Sequence, residues 1–476
     1  LEAREQALLR ALSVVAGTCD LPAVAALCPD QPVSGIAALD QVDELVTRSL
    51  LVTERRPAGT RYRMLDTIRH FAAEELATDP AEEASAHRRH AEHYTSLAED
   101  LGARLRGAQL ENLLDRLTTE HHNMRRAMSW LLGTGADPAA ALRLAIALWQ
   151  YCYLRGHYRE GRQWLGDALG AAESAGVGPE LVPVVGAALD GAAALAHYEC
   201  DYPVARDLGE RALVLYRELG DPQGAAHALN RLGSIERELA NYRQSRQLHT
   251  DALELCERLD DEWGIGNGLQ LLALVSWLAG EHDVALGWST KALPQLTGVG
   301  DKERIGWTLL DLGAISHYTG DDDAAGGHLG TARQLFAEIG FKEGLAWADD
   351  LLALGDLRRG DLPAALARLD FALHTHHELS DLWRLASVLE ALAHLASRLR
   401  LPAACAELLA MARAERATIG TPVPLCERPL VGSTEAWLAG TAGSSPAPWT
   451  GPVQLTVVSD HLETMRGELL GRSVPR

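Results

Sequence analysis

The feature that most constrains this chain is a pattern that recurs every 40 residues. Copies begin at residues 201, 241, 281, 321, 361 and 401, and a further copy begins at 157. Each copy has a small residue four positions after its start and an alanine eleven positions after it. Because only small side chains let two helices approach closely at fixed points, the pattern predicts stacked helix hairpins. The small residues are Gly161, Ala205, Ser245, Ala285, Ala325, Ala365 and Cys405, and the alanines are Ala168, Ala212, Ala252, Ala292, Ala332, Ala372 and Ala412.

Apolar and small residues also pair eight and nine positions before the repeat starts, as in Leu232-Gly233 and Leu312-Gly313. The arrangement resembles the tetratricopeptide repeat, stretched to 40 residues by longer helices, over about residues 145 to 420. The resemblance implies an all-α, tetratricopeptide-like α-solenoid of about seven helix hairpins. The alternative is an irregular helical bundle with chance periodicity.

In tetratricopeptide arrays the first helix of each hairpin lines a concave groove, and the resemblance carries that role over by position. Positions 14, 11, 4 and 3 before each repeat start share one helix face, and here they are mostly polar or aromatic. Such a face suits a protein, a peptide or a small-molecule effector. The alternative is that the tryptophans only pack between helices. The candidate groove residues are His227, Asn230, Arg237, Asn267, Gln270, Trp277, Trp307, His317, Tyr318, Trp347 and Asp350.

The first 79 residues are predicted to form a winged helix. Three helical segments, the second capped by Asp20, precede two strand-like runs around residues 57–59, which predict one β-hairpin. A DNA-binding winged helix should present basic or amide side chains from its third helix. The third segment instead carries Asp40, Gln41, Asp43, Glu44 and Arg48. We therefore expect no direct DNA contact from this segment.

Several stretches carry a second resemblance. SVVAG, DELVTRSLLV, RYRMLDTIRHFAAEEL, LTTEHHNMRRAMSWLL and LWQYCYLRGHYREGRQWL occur in that order. They resemble the region after the nucleotide-binding (NB-ARC) module in actinobacterial transcriptional regulators of the STAND class, of the antibiotic-regulator or LuxR type. The resemblance implies a winged helix and a repeat sensor that act with an NTPase module, which would bind ATP or ADP and lies outside this chain.

In that class a Met-His-Asp triplet after the hairpin contacts the phosphate of bound ADP. The matching positions here are Met64, Leu65 and Asp66, next to Arg63, and the resemblance makes them candidates for a nucleotide switch. Leu65 departs from the pattern, because leucine cannot donate a hydrogen bond. We expect Asp66 to act as the N-cap of the helix that follows.

Together, these predictions divide the chain into four parts. We expect a winged-helix domain at 1–79, a helical bridge at 80–144, the repeat solenoid at 145–420, and a linker with a capping helix at 421–476. The linker is expected near residues 439–452, which are rich in small residues and proline. Because the chain opens at Leu rather than Met, we expect it to be part of a longer polypeptide.

The sequence carries no motif for catalysis. GxxxxGK[ST] is missing, and the three lysines, Lys291, Lys302 and Lys342, lie in no phosphate-binding loop. The histidines at 374–378 are interpreted as part of a solvated helix rather than as metal ligands. The histidines at 87–93 share a helix face with Arg88 and Arg89 beside them, whose charges disfavour a metal cation. We therefore expect a non-enzymatic chain without a cofactor or metal of its own. A free-standing scaffold remains an alternative, as does an unfamiliar enzyme with a pocket near Asp350 and His317.

Composition limits the partners and the compartment. A net charge of −21 disfavours nonspecific binding to nucleic acid. The seven cysteines are scattered without a CxxC pair, which is typical of a reducing compartment. No run of about 18 apolar residues is present to span a membrane. We expect a cytoplasmic protein that does not contact a membrane.

Overall fold

The computed structural model describes residues 1–29, 35–56, 59–105, 107, 109–176, 178–442, 449 and 451–472. The chain forms two compact units. The first, which we call the front unit, comprises Leu1–Leu105, Asn112–Tyr151 and Gln163–Ala188. The second, the array unit, comprises Arg106–Glu111, Cys152–Arg162 and Leu189–Arg476.

The front of the chain is a winged helix, as the sequence predicts. It contains short helices and a three-stranded antiparallel sheet with the strand order β1 (Thr18–Cys19), β3 (Gly59–Met64) and β2 (Leu51–Arg56). The short strand β1 extends the predicted hairpin, and its Cys19 pairs with Tyr62 on β3. The tip of the hairpin, residues 57 and 58, lies outside the described residues. The elements are α1 (Ala3–Leu12), β1 (Thr18–Cys19), α2 (Leu21–Leu27), α3 (Gly35–Thr47), β2 (Leu51–Arg56), β3 (Gly59–Met64) and α4 (Asp66–Leu76).

The two predicted helix caps have different outcomes. The Asp20 side chain accepts a hydrogen bond from the Ala23 backbone N–H at 3.0 Å, which confirms it as the cap of α2. The prediction that Asp66 caps α4 is wrong, because the helix starts at Asp66 and Leu65 occupies the cap position without a side-chain hydrogen bond. The Asp66 carboxylate instead accepts from Arg69 at 3.0 Å.

A buried ion pair joins the sheet to the long helix α6. The Arg61 guanidinium on β3 pairs with Glu120 and also donates to the Thr18 carbonyl at 2.9 Å. Asn123, one helical turn after Glu120, donates to the same carbonyl and accepts from the Ala16 N–H at 2.8 Å. The bridging helices are α5 (Pro80–Gly102) and α6 (Leu110–Leu132).

The array consists of helix pairs in the predicted register, seven of them within the described residues. All seven small residues and all seven alanines of the repeat pattern are buried, which agrees with close packing at fixed points. The tetratricopeptide architecture is therefore confirmed. The pairs are α7 (Pro138–Arg155) with α8 (Tyr158–Ala175), α9 (Val182–Tyr198) with α10 (Tyr202–Leu219), α11 (Pro222–Glu238) with α12 (Tyr242–Arg258), α13 (Glu262–Leu278) with α14 (His282–Val299), α15 (Lys302–Thr319) with α16 (Asp322–Ile339), α17 (Lys342–Arg359) with α18 (Leu362–Leu379), and α19 (Leu382–Leu399) with α20 (Pro402–Ile419).

The first helix of each pair, which we call an inner helix, is buried almost all round. On α13, for example, every residue from Gly266 to Leu278 is buried. The second helices are amphipathic, and on α14 the buried positions form a single stripe that includes Ala285, Ser289 and Ala292. This difference places the inner helices in the interior of the array unit.

The array coils tightly enough for distant repeats to touch. The Tyr153 hydroxyl at the end of α7 donates to Glu303 at the start of α15, at 3.0 Å. Tyr158 makes the equivalent contact with Glu343 at the start of α17, also at 3.0 Å. These pairs lie 150 and 185 residues apart in the sequence. The concave side of the array is consequently closed by its own next turn.

Two helices follow the seventh pair, where the sequence predicts one capping helix. They are α21 (Arg428–Ala442), which packs on α19 and α20, and α22 (Leu455–Arg472), which packs on α18 and α19. Counting 40 residues from the start of α19 places an eighth inner helix at residue 422, yet α21 starts only at 428. Pro422 and Pro424 explain the delay, because proline lacks an N–H and disfavours helix at the preceding residue. Half of the predicted linker, residues 443–448 and 450, lies outside the described residues, and residues 439–442 belong to α21.

Among the described helices, the stretch Pro179–Tyr198 is long and apolar enough to cross a membrane by length and composition alone. Within its apolar window 61% of the surface is buried inside the protein, as in the core helix of a globular fold.

Replacement of Gly313 tests the close packing of the repeats. A Cβ at this position on α15 would lie 2.5 Å from Leu329 Cγ on α16 and 3.2 Å from the Leu329 backbone nitrogen. We expect Gly313→Ala to lower the free energy of unfolding by about 1–3 kcal/mol through overpacking. The matched control is Gly330→Ala on α16, where a Cβ meets no atom within 4 Å. This change should raise stability by up to about 1 kcal/mol. Urea titration of both variants measures the difference, and equal effects would contradict the packing argument.

Candidate ligand-binding site in the repeat array

Most of the predicted groove residues are not on an open surface. Nine of the eleven are buried, and only His227 and Tyr318 are half-buried. The polar and aromatic face predicted to line the concave groove therefore lies in the interior of the array. The reason is the tight coiling described above, which no local sequence pattern encodes.

The tryptophans of this face pack against one another. Trp347 lies in edge-to-face contact with Trp307 and Trp383, with ring centroids 5.2 Å and 5.6 Å apart. Trp277 stacks on Tyr318 at 5.9 Å. Such geometries add to the stability gained from burial. The alternative reading of the tryptophans as packing residues is thus the better description of their contacts.

The buried polar residues of the face form ion pairs across neighbouring repeats. Glu238 accepts from Arg237 at 2.7 Å and lies 3.0 Å from His197 Nε2. Burial alone would raise the pKa of Glu238, but the charges of Arg237 and His197 outweigh it and lower the pKa to about 2. Glu238 therefore remains a carboxylate throughout the neutral range.

Asp311 lies in the centre of the same interior. Its carboxylate accepts from Gln270 Nε2 at 2.8 Å and from Trp277 Nε1 at 2.9 Å. Burial raises the pKa of Asp311 to about 7, although both hydrogen bonds favour the charged form. The absence of a neighbouring cation in contact explains why burial prevails here, in contrast to Glu238.

A cavity of about 290 Å³ opens where α15, α17 and α19 meet the start of α21. His317, Tyr318 and Asp350 line it, so three of the predicted groove residues meet there. The delayed start of α21 accounts for its position, because residues 421–427 are not helical where an eighth inner helix would begin. Volumes of a few hundred cubic ångströms are typical of small-molecule sites.

The inner end of this cavity is ionic. Arg384 pairs with Asp350 and donates to Glu427 at 3.0 Å, and the Ser387 hydroxyl donates to Glu427 at 2.8 Å. Glu390 accepts from Arg416 in the same layer. Both Asp350 and Glu390 have a raised pKa, mainly because burial disfavours their charged form.

The outer end of the cavity is basic. Arg358 donates to the His317 carbonyl at 2.8 Å and to Asp322 at 2.7 Å. Arg398 is exposed and donates to the Leu357 carbonyl at 3.2 Å. Burial and the charge of Arg358 lower the pKa of His317 to about 4. His317 and Arg358 lie on the helix face that the repeat pattern singles out, whereas Arg398, Arg384 and Glu427 were not predicted from the sequence. Glu427 occupies the position 14 residues before an eighth repeat start, so the 40-residue register could have identified it.

Other predicted groove residues lie elsewhere. A second cavity, of about 60 Å³, is lined by Arg237, Gln270, Trp307 and Trp347 and has room for water rather than a ligand. His227, Asn230, Asn267 and Trp277 line neither of these two cavities. Asn230 instead contacts His249 Nδ1 through its side-chain oxygen at 2.9 Å.

The front unit has a separate basic concavity. Arg63, Met64 and Asp66, three of the four nucleotide-switch candidates, line it together with residues of α4 and α6. Leu65 is not part of the lining and is 39% exposed. The added basic residues are Arg69, His122, Arg125 and Arg126. Sequence reasoning missed the α6 contribution, although the HHNMRR run at 121–126 placed these side chains on consecutive helix positions.

Fold and sites together define a winged-helix protein with a tetratricopeptide-repeat array. The family model "Winged helix-turn-helix domain" matches residues 1–77, and the model "Tetratricopeptide repeat" matches residues 184–258.

The curated relatives are mycobacterial. The chain is 34% identical over 233 residues to "Putative HTH-type transcriptional regulator Rv0890c" of Mycobacterium tuberculosis and to a counterpart in Mycobacterium bovis. The match covers 48% of this chain and 26% of each relative, so the aligned part spans about a quarter of their length.

Two solved structures are similar in fold. The Rap conjugation gene regulator of the plasmid pLS20, in complex with the Phr* peptide, has a TM-score of 0.50 at 15% identity over 60% of this chain and 75% of that one. A STAND protein with a tetratricopeptide repeat sensor from Pyrococcus horikoshii has a TM-score of 0.49 at 16% identity, over 98% of this chain and 65% of that one.

The raised pKa of Asp311 predicts a distinctive pH dependence of stability. Between about pH 4, the unfolded pKa, and pH 7, the folded protein holds a proton that the unfolded chain releases. Stability should therefore fall as the pH rises through this window. Relative to Asp311→Asn, which does not titrate, the wild-type free energy of unfolding should fall by roughly 3 kcal/mol from pH 4 to 7 and then level off. Urea titrations at several pH values measure it.

The control for this experiment is Asp207→Asn, at an exposed carboxylate on α10. Its difference from the wild type should not show the same fall between pH 4 and 7. A constant difference between the wild type and Asp311→Asn across this range would show that Asp311 is ionised in the folded protein.

Proposed function

We propose that this chain is the non-enzymatic sensor and interaction region of a STAND-class transcriptional regulator. A ligand or partner binds in the concave interior of the repeats and changes how they pack. The winged helix passes that change to a nucleotide-binding module that binds ATP or ADP. The names of the mycobacterial relatives support the regulatory role, and the sequence stretches that resemble STAND regulators support the relay.

One observation carries the location of the sensor site. The interior of the array is closed by coiling, and the cavity beside α21 is a place where it opens to a volume that suits a ligand. The cavity combines apolar walls, such as Leu354 and Val431, with ionic groups at both ends. Side chains from three inner helices meet there, so an occupant would contact three repeats at once.

The basic concavity of the front unit supports the relay. Arg63 and Arg69 come from the winged helix, and Arg125 and Arg126 come from α6. Several guanidinium groups around one concave surface favour a phosphate-bearing partner, since arginine binds phosphate oxygens through two donors at once. A nucleotide held by the module would meet these side chains, and Leu65 would take no part in that contact.

Filling the cavity tests the sensor role. Leu430 lines the cavity from α21 and belongs to neither ion-pair cluster, so Leu430→Trp should occupy the space without removing a buried charge. In the intact regulator, a promoter reporter should lose its response to the inducing condition. The control is Ser433→Trp, an exposed position on the same helix. Thermal unfolding checks that both variants fold. A normal response with Leu430→Trp would refute the site.

A second experiment tests the relay. In the intact regulator, the double variant Arg63→Gln and Arg126→Gln should speed dissociation of a fluorescent ADP analogue at least tenfold, because two phosphate-facing cations are lost. Arg104→Gln, an exposed arginine of the front unit outside the concavity, is the control. Equal dissociation rates in the wild type and the double variant would contradict a nucleotide contact at this surface.

A further inference from the structure

The ionic layer at the inner end of the 290 Å³ cavity has an excess of negative charge. Three carboxylates, Asp350, Glu390 and Glu427, face two guanidiniums, Arg384 and Arg416, and all five residues are at least 93% buried. Two cations leave one carboxylate without a counter-charge. A buried charge of this kind is costly unless a cation or a proton neutralises it.

Within the part of the chain that the structure describes, no third cation pairs with these carboxylates. His376 is the next titratable group that acts on Asp350, and its Nδ1 lies 2.9 Å from Asp381 instead. Arg358 is engaged by Asp322 and by the His317 carbonyl. The carboxylates open directly onto the cavity, so an occupant can bring the cation.

The outer end of the cavity has the opposite character. Arg398 lies eight residues after Glu390 on α19. Arg358 lies eight residues after Asp350 on α17. At 1.5 Å per residue, this separates acids and bases by about 12 Å along the helices. Arginine side chains on a helix lean towards its N-terminus, which brings both guanidiniums closer to the acids.

His317 contributes a buried imidazole to the lining of the cavity. His317 is 6% exposed and lines the cavity, and its Nδ1 has no hydrogen-bond partner among the described residues. Its nearest anion, Asp322, is 4.0 Å away. Between the two charged ends the wall is mainly apolar, with Leu354, Leu357 and Leu430, and it includes His394, whose Nδ1 lies 2.9 Å from the Thr434 hydroxyl. The cavity therefore presents an acidic end, a mainly apolar middle and a basic end.

We propose that this cavity binds a short zwitterionic peptide, with its ammonium group at Asp350, Glu390 and Glu427 and its carboxylate at Arg398 and His317. An extended peptide advances about 3.3–3.6 Å per residue, so two or three residues span the distance between the charged ends. Apolar side chains of the peptide pack on the leucines of the middle section. This inference rests on the proposed sensor function, because it names the class of ligand that the sensor site takes.

The test compares three forms of one peptide by calorimetry on the full chain: trileucine with free ends, its N-acetyl form and its C-terminal amide. Free trileucine should bind, and each blocked form should bind at least tenfold more weakly. Arg398→Gln should weaken binding of the free and N-acetyl forms at least tenfold and leave the amide unchanged, because the amide has already lost the group that Arg398 contacts.

Arg400→Gln provides the matched control, since Arg400 is exposed two residues further on and does not line the cavity. It should leave all three affinities unchanged. Equal binding of the three peptides, no binding of free trileucine at millimolar concentration, or equal effects of the two arginine variants would each overturn the proposal. If Leu430→Trp abolishes the reporter response while trileucine fails to bind, the sensor site stands and only the ligand class is wrong.

Discussion

The array depends on contacts between residues of its first helix pair and the beginnings of inner helices more than three repeats later. Tyr153 on Glu303 and Tyr158 on Glu343 hold successive turns together. These contacts are possible because small residues at fixed positions let neighbouring helices pack closely over the whole array. A looser coil would leave the inner helices open to solvent. Because the array coils tightly, the inner helices are buried, and their polar residues must form hydrogen bonds or ion pairs within the protein.

Much of the fold could be predicted from the sequence, because its determinants are local and repeated. The 40-residue register, the buried alanines and the Asp20 cap all follow from side-chain size or backbone hydrogen bonding within one repeat. The pitch of the array could not be predicted. The pitch is the sum of small rotations between neighbouring repeats, and no residue pattern within one repeat predicts that sum. For this reason the burial of residues such as Trp277 and Asp350 could be seen only in the structure.

The residues of the candidate site also divide into those that could be predicted from the sequence and those that could not. His317, Tyr318 and Asp350 were identified from their helix face, since that face follows from the 3.6-residue period. Arg398 and Glu427 were missed because they matter only where a later segment closes the space. In the front unit, Arg63 was identified by resemblance, whereas Arg126 joins it through the packing of α6. Charges that gather from separate segments need a three-dimensional fold before they can be recognised.

Pro422 and Pro424 interrupt an otherwise regular series at its eighth member. A perfectly regular array has no preferred position along its length, since each repeat meets the same neighbours. The delayed start of α21 makes the neighbours of the last repeats different from those of the others, so one position along the array becomes distinct. Substitutions near the prolines can then change the end of the array beside the cavity, while the small residues repeated along the seven pairs keep their helices closely packed. The close packing of the array and the delayed start of α21 thus depend on different stretches of sequence.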